Sequence, residues 1–161
     1  MHFKIDRLTK YPGLIPVLAK WHHRQWQHLN PDSYDEQARR EDYLRATADT
    51  TNLPQMLVAH INGHALGSAR LIKNDMDTHL ELTPWLASLY VPPDFRRHGV
   101  ATRLITEIET MAKQLGFDQI YLFTEDKTEM YSKLGWCELF REKYYGEDVC
   151  VMTKSLLEGN P

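Results

Sequence analysis

No stretch of this 161-residue sequence approaches the roughly 20 consecutive apolar residues that cross a bilayer, so no membrane partner is expected. The opening residues, Met1-His2-Phe3-Lys4-Ile5-Asp6, lack the apolar core of a secretory signal, and a cytoplasmic location is expected. Cysteine is scarce. Cys137 and Cys150 are too few for a disulfide framework; two reduced core thiols are expected, unless neighbouring strands bring them together. An excess of positive charge is missing as well. With 19 Lys+Arg against 22 Asp+Glu the formal net charge is −3, which argues against a nucleic-acid partner. A local basic pocket for one phosphate-bearing ligand stays open. Internal repeats, low-complexity tracts and linkers are also absent. What remains, 42% hydrophobic and 25% charged residues, is the composition of one ordinary domain spanning residues 1–161.

Residues 2–8 alternate apolar and polar and predict a first strand. From Leu14 to Leu29 apolar residues recur at helical spacing (Leu14, Leu18, Trp21, His22, Trp26, Leu29), with Pro16 tolerated in the first turn. Ser33-Tyr34-Asp35-Glu36 has the form of a capping box opening a more polar helix to about residue 47. Gln55–Ile61 and His64–Ile72 flank Asn62-Gly63, the dipeptide of a type I′ hairpin turn. A strand from about Pro84 to Val91 stops at Pro92-Pro93. A helix near 99–115 follows, with Val100, Leu104, Ile105, Ile108, Met111, Ala112 and Leu115 on one face and Gly116 past its end. Ile120–Phe123 predicts a short buried strand, 126–134 a helix closed by Gly135, and Trp136–Tyr144 with Asp148–Lys154 a last hairpin about Gly146. The order predicts a mixed α/β domain.

The most informative stretch is Leu86-Ala87-Ser88-Leu89-Tyr90-Val91-Pro92-Pro93-Asp94-Phe95-Arg96-Arg97-His98-Gly99-Val100-Ala101-Thr102. A strand ends, the chain turns, and a helix begins with small residues at Gly99 and Ala101. The first amides of a helix have no partner within it and carry the positive end of its dipole. Small residues let a diphosphate approach them, and Arg96 and Arg97 add fixed charges suited to phosphate oxygens. The competing reading is a solvated turn whose arginines face water. A dinucleotide site fits less well, because no G-x-G-x-x-G follows an early strand.

Arg96-Arg97-His98-Gly99-Val100-Ala101 resembles the acetyl-CoA motif Q/R-x-x-G-x-G/A of the GNAT superfamily of N-acetyltransferases. The resemblance extends over most of the chain, and it implies a twisted mixed sheet, splayed at the motif strand and flanked by helices. It further implies acetyl-CoA as cosubstrate. Amides from Arg96 to Thr102, those of His98, Gly99, Val100 and Ala101 among them, would hold the pyrophosphate. The backbones of Leu89, Tyr90 and Val91 would hold the pantetheine arm at a bulge, and the amide of Leu89 or Val91 would serve an oxyanion. Many members carry an Asn that holds the pantetheine near the start of the helix predicted at 126–134; here Thr124 stands at about that spacing and is the candidate to substitute for it.

Tyr121-Leu122-Phe123-Thr124-Glu125-Asp126-Lys127-Thr128-Glu129-Met130-Tyr131-Ser132-Lys133-Leu134-Gly135-Trp136 is similar to the family segment ending Y-x-x-x-G-F/W. By that likeness Tyr131 protonates the departing thiolate after an amine attacks the thioester. A phenol of reference pKa about 10 can serve a thiolate whose conjugate acid lies near about 8.5. The competing reading is a packed tyrosine whose hydroxyl bonds to backbone.

The amine must be neutral to attack, so a base or water relay is expected, with Glu81, Asp75, Asp77, His79 and Glu125 as candidates that could equally be surface residues. Trp85 could line the acceptor pocket or the core. Trp21, Trp26, Tyr144, Tyr145, Glu147 and Asp148 lie in segments that border the acceptor site in this fold, an aromatic and acidic mix suited to a cationic amine. Neither His22-His23 nor Asp75-Met76-Asp77-Thr78-His79 makes a recognised ligand set, so no metal is expected. The expected activity is transfer of acetyl from acetyl-CoA to a primary amine by direct attack in a ternary complex. The rival is an inactive acyl-CoA sensor of the same fold. The acceptor, a small molecule or a protein, stays open among protein N-termini, lysines, polyamines, aminoglycosides and metabolite amines. Either a monomer or a homodimer is compatible with the sequence.

Overall fold

The computed structural model describes residues 1–48 and 51–157. In chain order its elements are β1 (Lys4–Arg7), α1 (Ile15–Trp26), α2 (Glu36–Ala46), β2 (Gln55–Ile61), β3 (His64–Ile72), β4 (Trp85–Tyr90), α3 (Val100–Gln114), β5 (Gln119–Thr124), α4 (Thr128–Lys133), β6 (Cys137–Tyr144) and β7 (Glu147–Ser155). Short 3-10 turns at Leu8–Lys10 and Pro12–Leu14 lead into α1, and another at Gln27–Leu29 leaves it. The strands form one seven-stranded sheet in the order β1-β2-β3-β4-β5-β7-β6, antiparallel except for β4 beside β5. This is the mixed α/β architecture that the order of elements predicts.

Both hairpin turns obey their local chemistry. Asn62 and Gly63 have φ of 51° and 79°, and Tyr145 and Gly146 have 49° and 81°, as a type I′ turn requires at both central positions. The start of α2 differs from the expected capping box. Asp35 is the N-cap, its carboxylate accepting from the Ala38 amide at 2.9 Å. Ser33-Tyr34 lies in the preceding turn, where the Tyr34 amide donates to Pro31 O. The aspartate wins because its oxygen reaches the third helical amide from extended backbone.

Three apolar clusters hold the layers together. The largest packs α3 and α4 on one face of the sheet, with Leu57, Ala69, Leu71, Leu104, Ile105, Ile108, Ile120 and Met152 at its centre. On the other face Leu18, Ala19, Tyr43 and Met56 seat α1 and α2, while Trp85, Ile72, Met76, Val149 and Val151 form a third cluster. Alternation along β3 sends Leu71 to the α3 face and Ser68, Arg70 and Ile72 to the other, the two-residue period of a strand.

Some expectations are corrected here. Leu115, expected on the buried face of α3, is the C-cap and is 36% exposed. Cys137 is exposed, so only Cys150 is a core thiol. The register sets Cys137 against Thr153 and Arg141 against Cys150, which keeps the two cysteines on different rungs of the ladder. Trp85 is fully buried and donates its indole N–H to Leu82 O at 2.7 Å, a core residue rather than a pocket wall.

Candidate active site

The site begins with a fault in the ladder between β3 and β4. Ser68 pairs with Tyr90 but Arg70 pairs with Ala87, so Ser88 and Leu89 together face Ala69. That extra residue is a bulge, and Ser88 takes a left-handed φ of 54° to form it. On its other edge β4 keeps a single register pair with β5, Trp85 with Tyr121. Beyond it the two parallel strands part. The splay expected at the motif strand is therefore present, and it opens a cleft of about 1640 Å³.

Gly67 lets the end of β4 and the start of α3 settle over β3. A Cβ there would lie 3.0 Å from Tyr90 O and 3.1 Å from both the Val91 and Val100 side chains. Gly67→Val should destabilise the fold by about 1–3 kcal/mol through overpacking, read from urea unfolding.

Past β4, a 3-10 turn at Pro93–Phe95 turns the chain into α3. The helix starts at Gly99, with φ 79° and no capping side chain, and its first bond runs from Arg103 N to Gly99 O at 3.1 Å. Among the described residues the amides from Arg97 to Thr102 have no acceptor. These are orphan donors at the positive end of a 15-residue helix. A Cβ on Gly99 would meet nothing within 4 Å, so the space before those amides is open.

Two details amend the expected contacts. The Arg96 amide is already bonded to Pro93 O, at 3.3 Å, and so leaves the set of free amides. The Arg96 Nε donates to Val91 O at 2.8 Å, pinning the end of β4 to the turn and occupying that carbonyl. Arg96, Arg97, Gly99, Val100, Ala101 and Thr102 line the cleft together with Leu89, Tyr90 and Val91; His98 does not.

Tyr131 stands in the same cleft, 7% exposed, on the one-and-a-half turns of α4. Its ring meets Trp136 edge-on at 5.9 Å. Its hydroxyl has no hydrogen-bond partner among the described residues. The reading of a packed tyrosine satisfied by backbone therefore does not hold. Burial pushes the phenol above its ordinary value, and the charges of Asp126 and Asp75 push it the same way. It stays protonated at any working pH. Thr124 also lines the cleft, but its hydroxyl oxygen accepts from the Lys127 amide at 3.0 Å. It shapes the turn into α4 and keeps its O–H and one lone pair for a ligand.

The acceptor-side residues sort themselves by position. Of the candidate bases, Asp75, Asp77 and Glu125 line the cleft, whereas His79 and Glu81 do not. His79 bonds to Glu142, Asp77 accepts from the Tyr145 hydroxyl at 2.6 Å, and Glu125 bonds to His28 at 2.8 Å. Asp75 differs from them. Burial pushes its carboxyl up to about 7, an effect that Arg70 and Arg39 oppose. Trp26, Tyr144, Tyr145, Glu147 and Asp148 are on the cleft, and Trp21 is not; it packs on Tyr90 at 5.7 Å. Sequence reasoning missed Arg39, Arg70 and Tyr34. The available signal was an arginine set among apolar neighbours in a strand, Ala69-Arg70-Leu71-Ile72. Among the described residues no group of His, Cys, Asp and Glu side chains could hold a metal ion.

The family model described as the acetyltransferase (GNAT) family matches residues 15–136. The chain belongs to the GNAT acetyltransferase family. No curated protein matches it in sequence. Solved structures share the GNAT fold over essentially the whole chain. An aminoglycoside 6′-N-acetyltransferase complexed with coenzyme A superposes with a TM-score of 0.74 at 16% identity, covering 100% of each chain. The Salmonella typhimurium protein yncA with its cofactor acetyl-CoA gives 0.73 at 16%, covering 100% of this chain and 98% of that one. The PaiA N-acetyltransferase of Thermoplasma acidophilum in complex with coenzyme A gives 0.63 at 20%, covering 96% and 99%. In GNAT terms, the bulged β4, the open start of α3 and Tyr131 share one cleft.

Proposed function

We propose that the protein is an N-acetyltransferase that moves the acetyl group of acetyl-CoA to a primary amine by direct attack in a ternary complex. The observation that carries this reading is that Tyr131 is buried but its hydroxyl, without a partner among the described residues, is open to the cleft that also holds the orphan amides of α3. A sensor has no use for a phenol kept protonated there; an acyl transfer does.

The residues fit acetyl-CoA. The amides from Arg97 to Thr102, the open space at Gly99 and the guanidinium of Arg97 suit its diphosphate, and the edge of β4 left unpaired by the splay suits its pantetheine amides. When bound, acetyl-CoA supplies an acetyl group activated as a thioester. The protein contributes position and proton management. Tyr131 donates its proton to the sulfur that departs, and the second proton, shed by the acylated nitrogen as the amide forms, restores the phenol. The same burial that raises the phenol raises the competing thiol, so the transfer is not strongly uphill. Asp75 accepts the proton that the incoming ammonium must lose, directly or through one water, and a carboxyl near 7 is matched to that task.

The pH dependence follows. With one amine as acceptor, kcat/KM should rise through about pH 7 as Asp75 loses its proton. Asp75→Asn should remove that limb and lower the plateau about a hundred-fold, the scale of a lost general base. Stability moves the other way. The folded carboxyl titrates above its unfolded value, so the unfolded state releases its proton first and stability falls as pH rises between 3.8 and about 7. Asp75→Asn should therefore melt higher than wild type at pH 8. A variant with normal turnover would remove Asp75 from the mechanism.

The reading as a whole is tested by thiol release from acetyl-CoA across a broad panel of amines. Amine-dependent release supports it. Tight acetyl-CoA binding with no release from any amine moves the protein to the sensor class.

A further inference from the structure

Two arginines are buried in the cleft wall with no counter-charge beside them among the described residues. Arg39, on α2, is 3% exposed, and Arg70, on β3, is 7% exposed. A guanidinium does not shed its proton, so burial cannot neutralise it as it neutralises a carboxyl or an imidazole. Among the described residues neither has an ion-pair partner within 4.0 Å, and the Nε of each is buried with no hydrogen bond. Arg39 has one weak contact, Nη1 to the Tyr43 hydroxyl at 3.5 Å, and lies 4.9 Å over the ring of Tyr34. Arg70 lies 4.8 Å over the ring of Tyr43, and among the described residues its side chain makes no hydrogen bond.

Aromatic faces offset part of the desolvation of a cation, but they leave a planar fork of N–H donors unsatisfied. The surroundings yield no internal anion. Asp42 takes the hydroxyl of Tyr34 at 2.5 Å. His22, bonded to Tyr43 and Ser68, is held neutral by burial and by the field of these two arginines. Asp75 feels both arginines but pairs with neither. Arg39, Arg70, Asp75 and Tyr34 all line the cleft that contains Tyr131. The missing partner is then an anion that arrives with the substrate.

We propose that the acceptor is an amino acid: its carboxylate is received by the guanidinium groups of Arg39 and Arg70, while its amine lies toward Asp75 and the bulge of β4. The paired N–H donors of a guanidinium match the two oxygens of a carboxylate, and burial strengthens each bond. This deepens the acetyltransferase reading and rests on it. A simple polyamine or a neutral amino sugar would bring no anion and would leave both arginines unpaired.

The test is calorimetric titration of the full-length protein saturated with coenzyme A. The probes are the protein L-amino acids, their C-terminal amides, the matching decarboxylated amines, and phosphoethanolamine. At least one amino acid should bind, with its amide and decarboxylated amine at least ten-fold weaker. Arg70→Met and, separately, Arg39→Met should abolish that preference while coenzyme A affinity stays at the wild-type value. Each replaces an unpaired buried charge with an apolar chain of similar length, so the melting temperature should be held or raised. Equal binding of acid and amide, no binding of any amino acid, preference for phosphoethanolamine, or a preference that survives both substitutions would overturn the proposal. Replacing coenzyme A with acetyl-CoA separates the two readings. Carboxylate-dependent binding without acetylation keeps Arg39 and Arg70 as a carboxylate site but sinks the acetyltransferase reading and, with it, the amino acid as acceptor; acetylation indifferent to the carboxylate keeps the acetyltransferase reading and overturns the carboxylate site.

Discussion

Tyr131→Phe should bind acetyl-CoA with wild-type affinity and transfer acetyl about a hundred- to ten-thousand-fold more slowly, the range expected when a positioned general acid is removed. The substitution deletes one oxygen that has no partner among the described residues, so no buried donor or acceptor there is left stranded. The ring keeps its edge-on contact with Trp136 and its place in the apolar cluster, and the melting temperature should hold. The effect should fall on kcat with KM for the amine little changed, because the lost interaction is made to the departing sulfur. Calorimetry for acetyl-CoA and steady-state thiol release for transfer separate the two quantities. Near-normal turnover would take Tyr131 out of the mechanism and return it to the core.

The second large effect falls on binding. Gly99→Glu should weaken acetyl-CoA at least about a hundred-fold, through a carboxylate placed where orphan amides and the helix dipole favour an anion. The new side chain would take those amides itself and repel a diphosphate. The backbone there has φ 79°, so any L residue is strained, at a cost of roughly 1–2 kcal/mol. Gly99→Ala carries the same strain without the charge, and its methyl would point into open space. It should bind acetyl-CoA far better than Gly99→Glu does. If both bind equally well, the start of α3 is not the phosphate site.

The two positions were legible for different reasons. Gly99 was marked by its own neighbours: a strand, a proline stop, paired arginines, then an amphipathic helix. Those are local facts, and local chemistry reads well. Tyr131 was marked by likeness to a family segment, and nothing beside it in the chain shows that its hydroxyl is unpartnered. The capping of α2 went astray by two residues because Ser33 and Asp35 both offer a capping oxygen; only the backbone path chooses between them. The exposure of Cys137 is not legible in the sequence, because it lies on edge strand β6 and depends on the sheet order.

By itself the sequence determined the number and kind of elements, both hairpin turns, the open start of α3 and the family resemblance. Each depends on residues a few positions apart, through turn geometry, helical periodicity and the steric freedom of glycine. Only the tertiary structure decided that Asp75, Arg39, Arg70 and Tyr131 share one cleft, and that Asp77, Glu125 and His79 are already engaged by Tyr145, His28 and Glu142. Desolvation and the pairing of charges are properties of what surrounds a group in space. Those surroundings come from α2, β3, the loop after it and α4, segments that meet only when the sheet forms.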